Sequence, residues 1–373
     1  MSALRLRRSL FAAALAAPLL AAPAWTQESP QAPKESPPPA QPAREVRIPE
    51  VHEKTLPNGL RVVVLENHEQ PSVSLRVVVP AGRVDDRPER AGLASATASL
   101  LNKGTATRSA REIAEAIDFV GGTLYAQAST DSSYAQTQLT SDQIDLGLEL
   151  LADVVLRPSF PAEEVERWRK QTLNGLQVQL QSPEYLAQAV FERALFGEHP
   201  YGLPAIGTPQ SVSALQRDDF VRFHQERYVP NGAIVTVAGD VKPAEAFAKV
   251  ERHFGAWKKG AEPKRPAMSA GKAAPARRIL VVDKPDAVQT QIYVGQLGVS
   301  YTDPGMFNAM VYSSVLGGGV SSRLYKEIRR DRGLSYGAYS GFQTPVQTGS
   351  FQATTSTKTE STMQALDLIL ENI

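Results

Sequence analysis

Gly92–Thr105 runs G-L-A-S-A-T-A-S-L-L-N-K-G-T. Leu93, Ala96, Leu100 and Leu101 recur at helical spacing, and Lys103-Gly104 supplies a basic last turn followed by a glycine stop. The stretch is therefore expected to form one helix. Upstream, Val51–Leu56 and Leu60–Leu65 flank Asn58-Gly59, a hairpin signal, and Ser72–Val79 alternates Val73, Leu75, Val77 and Val79 as a third strand.

Downstream, Ser109 is placed to cap a helix over Ala110–Val120. Strands follow at Thr123–Ala128 and Ser132–Leu139, then a helix over Asp142–Leu156. Further helices are expected over Ala162–Gln181, Tyr185–Phe196, Val212–Tyr228 and Pro243–Phe254, with a strand at Ile234–Ala238. The class is α+β, an antiparallel-rich sheet packed with helices. After a Pro- and Lys-rich linker at 258–278, the plan begins again. Strand 336–342, strand 349–355 and the helix from about 360 match strand 123–128, strand 132–139 and helix 142–156. Two tandem homologous domains are expected, 46–257 and 279–373. The second reads as truncated, because nothing after Ile373 corresponds to 157–257.

The ends and the composition narrow the function. Residues 1–24 carry Arg5, Arg7 and Arg8, an apolar run over Leu10–Leu20 and an Ala22-Pro23-Ala24 cleavage site, the pattern of a secretory signal. Residues 25–45 are rich in Pro and polar residues and read as a disordered tether. Loss of the leader would lower the net charge from +1 to −2, which gives no case for nucleic acid. No apolar run is long enough to leave a membrane span after cleavage. With no cysteine there is no disulfide, no lipid-bearing cysteine and no thiol nucleophile. The expected address is the periplasm.

Several chemistries lack their residues. No G-x-S-x-G elbow is present, and Gly317-Gly318-Gly319 lacks the Lys-Ser/Thr of a phosphate loop. His52, His68, His199, His224 and His253 are scattered, and His199, beside Pro200 in a turn, reads as structural. Glu163-Glu164 occupies a first helical turn, where acids suit the dipole.

The order of Leu56-Pro57-Asn58-Gly59-Leu60, the Gly92–Thr105 helix, Tyr228-Val229-Pro230-Asn231, Val237-Ala238-Gly239-Asp240 and Gly317–Tyr336 resembles the pitrilysin/insulinase metallopeptidases, the inverzincins. The resemblance covers Val46–Ile373. It implies a clamshell half, and a zinc helix bearing H-x-x-E-H at Gly92–Thr105. There two histidines would grip zinc and the glutamate would act as base. Here those positions are Ser95, Ala98 and Ser99, and the family's third ligand falls at Gly175. No catalytic residue and no metal ligand is thus expected in this chain.

What the resemblance retains is Arg329 and Tyr336, the family's Arg/Tyr pair, preceded by the glycine loop with Gly318 and Gly319 near substrate. Guanidinium and phenol donors aimed at a peptide carbonyl stabilise the oxyanion formed on attack. Two-chain members of the family divide these roles. The resemblance therefore implies a non-catalytic subunit that binds peptide substrates and works with a zinc-bearing homologous peptidase partner, the zinc residing in that partner. A peptide-binding or structural module without peptidase activity is the alternative.

Overall fold

The computed structural model describes residues 49–261 and 276–373, which belong to one compact unit. The expected signal, the tether and most of the linker lie outside the described residues.

The first half is built on a six-stranded sheet. Its strands are β1 (Val51–Thr55), β2 (Arg61–Glu66), β3 (Ser72–Val79), β4 (Thr123–Ala128), β5 (Ser133–Thr140) and β6 (Ile234–Gly239), in the order β1-β2-β6-β3-β5-β4. All neighbours are antiparallel except β2 and β6, which run parallel with Arg61 opposite Ile234. The period-2 alternation of β3 sends Val73, Leu75, Val77 and Val79 to the buried face. Asn58-Gly59 makes the expected hairpin turn. Gly59 has φ +88°, and the Asn58 amide also donates to the carbonyls of Phe254 and Trp257, tying the turn to the end of a distant helix.

The helices of this half are α1 (Leu93–Leu100), α2 (Ala110–Phe119), α3 (Ile144–Leu156), α4 (Ala162–Gln179), α5 (Pro183–Phe196), α6 (Pro209–Ala214), α7 (Arg217–Arg227) and α8 (Pro243–Phe254), of which α1, α2, α3 and α8 pack on the sheet. Helix α2 starts at a reciprocal capping box, Ser109 with Glu112. Two expectations are corrected. The helix expected to run through Gly92–Thr105 ends a turn early, at Leu100, and the chain turns toward Gly104, whose φ of +135° no helix accommodates. The single helix expected over Val212–Tyr228 is two. Gln216 adopts an extended conformation and its N–H is bound by the Asp219 carboxylate, so a new helix begins there.

The second half repeats part of this plan. Strands β7 (Gln289–Gly298), β8 (Ala338–Gln343) and β9 (Gly349–Lys358) pair antiparallel in the order β7-β9-β8, the arrangement of β3-β5-β4. Helix α10 (Thr362–Asn372) follows β9 through a 3-10 turn, as α3 follows β5. Helix α9 (Met306–Gly317) lies on β8 as α1 lies on β4. Ile292, Leu316, Leu324, Ile328, Phe351 and Ile369 form its core. The outward face of α9, Phe307, Met310, Val311 and Val315, is exposed, whereas α1 is covered by α7. The halves meet where α5 packs on β7, with the Phe191 and Tyr293 rings 5.7 Å apart.

Candidate functional site

Arg329 and Tyr336, the expected Arg/Tyr element, rest on an unusual helix. Residues Tyr325–Arg330 are π-helical, closed by the Asp331 N–H to the Lys326 carbonyl. Such insertions rotate the residues that follow and recur at functional sites. Leu324 and Ile328, both fully buried, nail one side to the core. Gly333, at φ +63°, then reverses the chain. The returning segment is held by side chains of β9. Thr357 donates to the Leu334 carbonyl at 2.7 Å, and Thr355 donates to the Gly337 carbonyl at 2.8 Å. Ser335 accepts from the Gly337 N–H at 3.1 Å. This strap delays the strand expected from Tyr336, which starts at Ala338 instead.

The consequence is that Arg329 and Tyr336, seven apart in sequence, meet. Arg329 Nη1 donates to the Tyr336 carbonyl, and the guanidinium lies 5.5 Å from the ring centroids of both Tyr325 and Tyr336. Tyr325 in turn packs 6.4 Å from Tyr339. Tyr336 is 84% exposed, so its phenol is presented to solvent on a braced backbone. The sequence reading missed Tyr325 and Tyr339. Their signal was faint: Tyr325 lies four residues before Arg329, one helical turn, and Tyr339 three after Tyr336.

The glycine loop divides by role. A Cβ at Gly317 would lie 2.2 Å from the Ser340 backbone N, so this glycine lets α9 press against β8. One at Gly318 would meet the Ser314 backbone at 2.6 Å, while Gly319 faces open space. Gly319 alone of the three is unhindered on its surface.

Helix α1 carries no trace of metal chemistry. Its N-terminus is capped from outside: the Asp86 carboxylate accepts from the N–H groups of Gly92 and Ala94, each at 2.9 Å. Burial pushes the Asp86 carboxyl up to about 7 against those two hydrogen bonds. Ala98 is wholly buried, Ser99 returns its hydroxyl to the Ala96 carbonyl at 2.9 Å, and Ser95 is half-buried. Gly175 is exposed on α4, and a Cβ there would meet nothing within 4 Å among the described residues beyond its own helix. These four positions offer a methyl, two hydroxyls and a hydrogen, which do not fit zinc's demand for imidazole, thiolate or carboxylate.

The histidines serve locally. His199 Nδ1 accepts from the Tyr201 N–H, His224 Nε2 donates to the Val155 carbonyl, and His68 lies between Glu66 and Asp240 on opposite ring nitrogens. No group of three His, Asp or Glu among the described residues is placed to hold a metal ion.

Residues 61–209 match the model of the Insulinase family (Peptidase family M16), and residues 214–373 match that of the peptidase M16 inactive domain. An uncharacterized zinc protease of Mycobacterium bovis is 36% identical over 297 residues, 79% of this chain and 68% of its own length. The chain belongs to peptidase family M16. Another relative, an uncharacterized zinc protease of Mycobacterium leprae, is 38% identical over 299 residues, 79% of this chain and 66% of its own. The chain thus spans about two thirds of the length of these relatives. A crystal structure of a peptidase M16 inactive domain from Pseudomonas fluorescens superposes with TM-score 0.81 and 29% identity, covering 87% of this chain and 78% of that one. A protease from Helicobacter pylori shares the fold at TM-score 0.80. Helix α1 lies in the first match and the Arg329–Tyr336 brace in the second, which also takes in α7, β6 and α8 of the first half.

Proposed function

We propose that this chain is a non-catalytic M16 subunit of the periplasm that holds extended peptides for a zinc-bearing homologue. One observation carries the reading. All four metal and base positions have been replaced by Ser95, Ala98, Ser99 and Gly175, while Arg329 and Tyr336 remain braced by Tyr325, Thr355 and Thr357.

In such a pair the partner supplies zinc, and this chain supplies donors. The Tyr336 phenol is the group free to reach a substrate carbonyl, and Arg329 both steadies the Tyr336 backbone and adds positive charge behind it. Peptides would be held along Gly318 and Gly319, where the backbone is not shielded by a side chain. The test is reconstitution with a homologue bearing an intact H-x-x-E-H. The mixture hydrolyses peptides, and Tyr336→Phe lowers kcat about a hundredfold. Unchanged kcat, or no hydrolysis by any mixture, overturns the role.

A second reading is favoured by the sheet edges. Among the described residues, strands β4 and β8 each end their sheet with one side unpaired, the geometry by which an extended peptide adds as a further strand. On this reading the chain binds peptides with no partner and no hydrolysis. Peptide affinity of the isolated chain, unchanged on adding the homologue, would select it.

A further inference from the structure

The six-stranded sheet has a second, more polar face, opposite its buried one, and Arg76 stands near its middle. Strand pairing sets the row Tyr125, Gln136, Arg76, Thr236 across β4, β5, β3 and β6. The Arg76 guanidinium lies 3.7 Å above the Tyr134 ring, and Tyr125 meets that ring edge-on at 6.1 Å. Gln127 donates to the Tyr134 hydroxyl. This fixes the aromatic shelf on which the guanidinium rests.

Among the described residues no carboxylate pairs with Arg76, and its Nε is buried with no hydrogen-bond partner. Arg61 on the same face is different: the Glu53 carboxylate takes it with bonds of 2.8 to 3.0 Å. A guanidinium that is half-buried and unmatched carries a desolvation cost, and its cross-strand neighbours Gln136 and Thr236, with Ser74 and Val78 along the strand, are uncharged. A planar fork of donors on an aromatic shelf suits a carboxylate, which can accept two of its N–H groups at once.

We infer that Arg76, with Tyr134 beneath it and Gln136 beside it, is a carboxylate-binding site for the peptides this chain holds. The inference rests on the peptide-holding role proposed above, and it narrows the ligand to peptides that present a carboxylate, from a C-terminus or an acidic side chain.

Titration of the full chain with a labelled, otherwise uncharged peptide in three forms tests it: C-terminal acid, C-terminal amide, and amide with one internal Asp. The acid form, the Asp form or both bind about tenfold or more tighter than the amide. Which of them does so tells the terminal from the side-chain source. Arg76→Met removes the difference and leaves amide-form affinity unchanged; Arg76→Lys keeps part of it. Addition of the preferred peptide also shifts the Arg76 Nε–H resonance of the wild-type protein, a readout that needs no variant to fold. Equal binding of all three forms, with an unmoved resonance, overturns the site and leaves peptide holding intact. Failure of every form to bind overturns both.

Discussion

Asp86 shows how much one residue can ask of its surroundings. It is nearly fully buried, yet it caps α1 through two backbone N–H groups. With a folded pKa near 7 against an ordinary 3.8, the folded state holds a proton that the unfolded chain gives up between those values. The sign follows: its contribution is fully present below about pH 4 and is lost as pH rises through 7, by on the order of 4 kcal/mol. Asp86→Asn removes this fall. Urea unfolding of both proteins from pH 4 to 8 should show the wild type losing stability relative to the variant. Parallel curves would contradict the assignment.

Asp153 is the complementary case. It is fully buried but accepts from Thr105, Thr107, Arg108 and Arg157, and these partners hold its carboxyl below the ordinary range despite its burial. Asp153→Ala leaves the Thr105 and Thr107 hydroxyls without their acceptor, while Arg108 keeps Glu149 and Arg157 reaches solvent, and should cost about 1–3 kcal/mol in the same assay. A cost under 1 kcal/mol would mean the network is dispensable.

Among the elements, α9 and the π-helical segment set the candidate site. Gly317→Ala puts a Cβ 2.2 Å from the Ser340 backbone N and should push α9 off β8, at about 1–3 kcal/mol. Hydrogen exchange should quicken in β8 and α9 while β3 and β5 stay protected; uniform exchange would show that the contact is not local.

The elements were also where sequence legibility divided. Strands β3 and β4 and helix α8 were readable to the residue because period and caps agree. The end of α1 was not, since Leu101 continues the apolar pattern and only the backbone of Gly104 breaks it. The split of α6 from α7 depends on a capping carboxylate, Asp219, that also fits a helix interior. The strap at Ser335–Gly337 depends on Thr355 and Thr357, twenty residues away. Arg329 and Tyr336 were legible as a motif. Tyr325 beneath them required the π-helical register, which no period in the sequence announces.

The whole molecule is two half-plans joined at α5 and β7. The equivalence of β4, β5 and α3 with β8, β9 and α10 was readable as a repeat of strand, strand and helix, whereas that of β3 with β7 emerges only from the order of the strands in the sheets. The joint was not, because it depends on a tertiary contact between Phe191 and Tyr293. Phe191→Ala should separate the unfolding of the halves in calorimetry, giving two transitions where the wild type gives one. A single, merely lowered transition would place the coupling elsewhere.

The role proposed for the whole chain requires an M16 shell that holds no zinc at Ser95, Ala98, Ser99 and Gly175 and presents Arg329 and Tyr336 to substrate. The most direct measurement is peptidase activity of the purified chain alone, loaded with excess zinc and dialysed, with bound metal counted. The account predicts no hydrolysis and no retained zinc. Stoichiometric zinc with chelator-sensitive cleavage would contradict it.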